Sequence, residues 1–98
     1  MAKQIVVDNE KLKITMECPE EAFVGETVNA VFEVENKTEK PLLNLRILER
    51  NFNAKTDFFN VGPHEKRKIS LAIQIPHDLQ TAPSKFVFDI VELLPYKK

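Results

Sequence analysis

Five stretches of this chain alternate apolar and polar side chains with a period of two. That rhythm narrows the possible folds more than any other feature. Leu12, Ile14, Met16 and Cys18 alternate with Lys11, Lys13, Thr15 and Glu17. Val28, Ala30, Phe32 and Val34 alternate with Asn29, Val31, Glu33 and Glu35. The same rhythm runs through Leu43–Ile47, Ile69–Ile75 and Phe86–Ile90. Successive side chains on a strand point to opposite faces, so each run has one face to bury.

Gly and Pro fall between these runs. All six prolines lie outside a run or at its end, where the missing backbone donor breaks no ladder. Gly25 and Gly62 lie at turns, where a positive φ is available to them. Two weaker strands are expected at Gln4–Val7 and Lys55–Val61. No segment reads as a helix, although Pro76–Pro83 has room for one short turn with Asp78 as its cap. About seven strands, separated by turn signals, predict an all-β, immunoglobulin-like antiparallel sandwich occupying residues 1–98 as one domain. Its expected core is Ile14, Met16, Val28, Ala30, Phe32, Val34, Leu45, Ile47, Ile69, Leu71, Ile73, Phe86, Phe88 and Ile90.

Part of the chain resembles known modules. The stretch Phe23-Val24-Gly25-Glu26-Thr27-Val28 leads into Phe32–Leu42, followed by Val61-Gly62-Pro63 and a basic entry into Ile69–Ile75. This resembles immunoglobulin-like and fibronectin-like accessory modules, including CARDB-type domains and the C-terminal sandwich domains of transglutaminases. The resemblance spans roughly residues 12 to 76 and implies a sandwich hairpin without implying an activity. One strong strand follows Ile75 where such modules usually have two. Either the N-terminal pair fills the gap or one sheet keeps an open edge.

The residues that carry chemistry are sparse. A metal site needs three or four ligands in a suitable geometry. His64 and His77, the two histidines, follow prolines at strand ends and read as exposed loop residues. Cys18 is the single cysteine, so no intrachain disulfide forms. Its neighbours Glu17, Glu20 and Glu21 would raise its pKa, against the needs of a nucleophile. Neither Ser70 nor Ser84 lies in a nucleophile elbow, and two glycines cannot build a phosphate loop. The reading is therefore of no enzyme, no cofactor and no bound metal.

The net charge of −1 excludes a nucleic-acid footprint, since the one basic cluster, Lys66-Arg67-Lys68, adjoins Glu65. No apolar run is long enough to span a membrane, and Met1–Glu10 has no signal-peptide core. If Met1 is the native start, the expected location is the cytoplasm. Asn36-Lys37-Thr38 is a formal glycosylation sequon in a turn.

What remains is apolar side chains in the wrong phase. Val31, Leu48, Val87, Val91 and Leu93 lie opposite the expected core face, as does Leu42, unless a bulge shifts the phase within Leu42–Leu48. Phe52, Phe58 and Phe59 lie in the Asn51–Asn60 stretch, where they either anchor a partner or cap the open end of the sandwich. These residues point to a protein–protein interaction or assembly module, with a second copy among its partners and a homo-oligomer among its outcomes. Two alternatives stand. A carbohydrate- or ligand-binding accessory domain would need a Phe-lined cleft near Asn51–Asn60. A small protease inhibitor would need an exposed loop such as Asp78–Ser84.

Overall fold

The computed structural model describes residues 2–19, 21–77 and 86–92. Eight strands and no helix make up the regular structure there. They are β1 (Ala2–Asp8), β2 (Leu12–Cys18), β3 (Thr27–Asn36), β4 (Leu42–Glu49), β5 (Ala54–Lys55), β6 (Phe59–Val61), β7 (Lys66–Gln74) and β8 (Phe88–Glu92). The first sheet runs β1-β2-β3-β7. The second is centred on β4, with β8 along one edge and β5 and β6 sharing the other. Every pairing is antiparallel. The expected stretch at Lys55–Val61 divides into β5 and β6, which raises the count from seven to eight.

The two sheets pack face to face around Ile14, Met16, Cys18, Val28, Ala30, Phe32, Val34, Leu45, Ile47, Phe59, Val61, Leu71, Ile73 and Ile75. Burying a side chain of this kind stabilises by roughly 1.5–3 kcal/mol relative to exposure. Ile69, Phe86, Phe88 and Ile90, expected in the core, are half-buried and packed against it. They sit on or beside the outermost strands β7 and β8, where one flank has no neighbouring strand among the described residues. A row of rings nevertheless links them inward, from Phe52 to Phe86 to Phe88 to Phe32, with centroids 5.5, 5.9 and 5.1 Å apart.

A bulge resets the phase of β4. The register with β6 shifts between Leu42, opposite Val61, and Leu45, opposite Phe59, and Asn44 takes a left-handed φ of 58°. The extra residue turns Leu42 inward with Leu45 and leaves Leu43 exposed. The expected inward position of Leu43 and outward position of Leu42 are thereby exchanged.

One end of the sandwich is tied by Asn36, which is fully buried. Its Nδ2 donates to the carbonyls of Lys40, Val61 and Gly62, and its Oδ1 accepts from Thr38 N and Oγ1. The link between β3 and β4 is thus fastened to the end of β6 across the two sheets. The same Nδ2 is the atom a glycan would need, so the sequon is blocked in the folded chain. Lys37 Nζ meets Asp8 Oδ1 at 2.7 Å and Asn9 O at 2.9 Å, which adds the β1–β2 turn.

At the other end, Glu26 N donates to Phe23 O across a four-residue turn. Gly25 supplies its left-handed φ of 80°, as the third position of a type II turn requires. Gly25 N donates to Ile75 O and Ile75 N to Glu26 O, so the turn is fixed to the end of β7. Gly62 is not in the left-handed region; His64, with φ 56°, takes that role in the β6–β7 link.

Candidate interaction surface

The two outer faces differ in kind. On the first sheet, Glu17 lies opposite Lys3, and Glu33 lies between Thr15 and Lys68. Glu35 lies between Lys13 and Lys66. Opposite charges thus neighbour one another across strands, as on a face that meets water, and Ile5, opposite Thr15, is an exposed apolar side chain on the same face. Val31 is half-buried within this lattice, between Glu17 and Ser70. It stands apart from the other apolar candidates.

The outer face of the second sheet follows from the inward set Leu45, Ile47 and Glu49, whose alternates Arg46, Leu48 and Arg50 must point outward. Val91 lies opposite Arg46, and the Arg46 guanidinium lies 3.9 Å from the centroid of the Phe58 ring. Leu48 lies between Asp89 and Lys55 in register. Val87 O accepts from Arg50 N one step further along. Leu48, Phe58, Val87 and Val91 therefore share one surface. Phe58, Val87 and Val91 are 44%, 38% and 39% exposed, respectively. The pairing β8–β4–β6 assembles these residues from three separate parts of the chain.

Charge on this face is unevenly satisfied. Arg50 donates from Nε and Nη2 to the two oxygens of Asp89, at 3.0 and 2.9 Å. Both groups are open to solvent, so the pair adds little stability. Arg46 and Lys55 have no ion pair among the described residues. Arg46 Nε is buried and has no hydrogen-bond partner there. A guanidinium stacked on an aromatic ring, flanked by aliphatic side chains, is a composition typical of binding hot spots.

The phenylalanines of the Asn51–Asn60 stretch divide. Phe59 is buried in the core and Phe52 packs half-buried against Phe86, so both cap the sandwich. Phe58 alone of the three is exposed. With Phe52 and Phe59 turned inward, Phe58 is the one of the three left exposed to line a cleft near Asn51–Asn60. Leu93 and the Asp78–Ser84 loop lie outside the described residues.

A second opening lies between the sheets where β8 has no further partner among the described residues. This groove of ≈ 470 Å³ is lined by Val6, Val7, Leu12, Leu42, Phe88 and Ile90, with Lys11 and Glu92 at its rim. An open sheet edge is one of the two arrangements expected after Ile75; the groove itself, lined from β1, β2, β4 and β8, is not legible in the sequence.

Three polar side chains are buried where the sequence alone does not announce it: Asn36, Glu49 and Thr56, whose Oγ1 accepts from Ile47 N and donates to Asp57 O. Glu49 is fully buried, with its carboxylate oxygens accepting from Phe52 N and Val87 N, each at 2.6 Å. It holds the turn after β4 against the approach to β8, and so sets the position of Val87. Asn36 was read as a turn residue and proves to be a buried link between sheets.

His64 and His77 are exposed, and no group of three His, Cys, Asp or Glu side chains is placed to hold a metal among the described residues. Burial pushes the Cys18 thiol above its usual range, in place of the carboxylate effect expected from its neighbours. No helix among the described residues is long and apolar enough to cross a membrane. No family model, curated protein or solved structure matches this chain.

Proposed function

We propose that this chain is a non-catalytic protein–protein interaction module, an immunoglobulin-like sandwich whose binding surface is the outer face of the second sheet. The observation that carries the reading is the contrast between the two outer faces. One carries opposite charges as cross-strand neighbours, Glu17 beside Lys3, Glu33 beside Lys68 and Glu35 between Lys13 and Lys66, with Ile5 and Val31 as its isolated apolar members. The other gathers Leu48, Phe58, Val87 and Val91 around Arg46, a cation without an ion pair among the described residues. Phe58, Val87 and Val91, exposed and grouped beside half-buried Leu48 and an arginine, favour a protein partner over water.

Site-specific photo-crosslinking in living cells tests the proposal. A photoreactive residue at Val91 should give adducts of discrete mass, and the same residue at Thr15 on the other sheet should give none. Adducts of equal yield at both positions, or none at Val91, would refute it.

A further inference from the structure

The acceptor face has an unused cation and apolar neighbours, and the same chain presents the complement elsewhere. In the turn between β2 and β3, Phe23 is 70% exposed and Val24 56% exposed, the former being the most exposed large apolar side chain described. Glu21 and Glu26 flank them, neither in an ion pair among the described residues. The turn is preorganised, with Gly25 in the left-handed region and backbone bonds to Ile75 on both sides.

We infer that the outer face of the second sheet receives the Glu21–Glu26 turn of a second copy of this chain. This rests on the interaction-module reading above and names the partner. Phe23 and Val24 pack over Leu48, Phe58 and Val91, and a flanking glutamate meets Arg46. Opposite charges at the contact give it direction and a dependence on salt. Donor and acceptor are different patches, so two copies either exchange them reciprocally in a two-fold dimer or join head-to-tail into a larger ring or filament.

Two patches allow a complementation test by sedimentation velocity. The wild-type chain should associate with rising concentration, and Phe23→Ser and Arg46→Glu should each weaken association by about tenfold or more. An equimolar mixture of the two variants should form a complex of two copies and nothing larger, because each supplies the patch the other lacks. Val91→Glu serves as the acceptor-face variant if Arg46→Glu does not fold, as judged by circular dichroism. A wild type that stays monomeric at every concentration overturns the inference, and so does a mixture that fails to pair or single variants that associate unchanged. Adducts from Val91 to a different protein, with a monomeric wild type, would sink this inference and leave the interaction-module reading standing.

Discussion

Replacing Asn36 by alanine should cost more stability than any other single truncation of a polar side chain here. The amide makes bonds to three carbonyls and accepts two from Thr38, at 2.8–3.2 Å, with no exposure to water. Its two hydrogens serve three acceptors, so one bond is shared and about four bonds' worth is lost. At roughly 1 kcal/mol net for each, the loss is about 4 kcal/mol. For a domain near 100 residues this lowers Tm by about 15–30 °C. Thr38→Ala removes a hydroxyl that donates to Asn36 Oδ1 and Lys40 O and accepts from Lys40 N, and should cost about 1–2 kcal/mol. Asn36→Asp keeps the acceptor and aims a carboxylate at three carbonyl oxygens. That raises its pKa in the folded state, so the variant should regain stability relative to wild type as pH falls below neutral. Urea unfolding of the three variants, followed by circular dichroism across pH, measures all of this. An Asn36→Ala variant within about 1 kcal/mol of wild type, or no larger in effect than Thr38→Ala, would refute the linking role.

Other outcomes follow from single contacts. Gly25→Ala should destabilise by about 1–2 kcal/mol because φ is left-handed there; an added Cβ would also run into the His77 ring. Adding His77→Ala should relieve the ring contact and leave the backbone part, as thermal melts will report. Glu49→Gln replaces one of two acceptors with a donor facing an amide, and should cost about 2 kcal/mol in urea unfolding. The hydrogen bond and charge of Lys37, helped by Lys13, hold the Asp8 carboxyl below the usual aspartate range, with partial burial opposing them. The unfolded state then binds the proton more readily, so this contribution is present above about pH 4 and fades as pH falls through the folded value. The stability gap between wild type and Asp8→Asn should accordingly close under acid. Buried Cys18 should react with a thiol reagent roughly a hundredfold or more slowly in the folded chain than in urea, since opening must come first; equal rates would contradict its burial.

The sequence showed the ladders more clearly than their ends. Alternation through Leu12–Cys18, Val28–Val34 and Ile69–Ile75 places their inward side chains without further help, because period two leaves no freedom once one face is buried. Leu42–Leu48 defeats the same reasoning, since a bulge inserts a residue and Asn44 is its one local sign. Buried Asn36 and Glu49 were not legible as such. What satisfies them are backbone groups up to 38 residues away, and only the pairing of strands brings those near. The wrong-phase residues were visible by name, but not their grouping. Val31 looks like Val87 and Val91 until register puts it among charges on the other sheet. Phe52, Phe58 and Phe59 look alike in sequence and separate when Phe59 pairs with Leu45 and turns Phe58 outward.

The most direct test of a binding surface on the second sheet is a methyl-resolved NMR spectrum recorded over increasing protein concentration. Resonances of Leu48, Val87 and Val91, together with Val24 in the donor turn, are predicted to shift and broaden while Val31 and Ile5 stay in place. Shifts that fall instead on Val31 and Ile5, or that spread evenly over both sheets, would contradict the account.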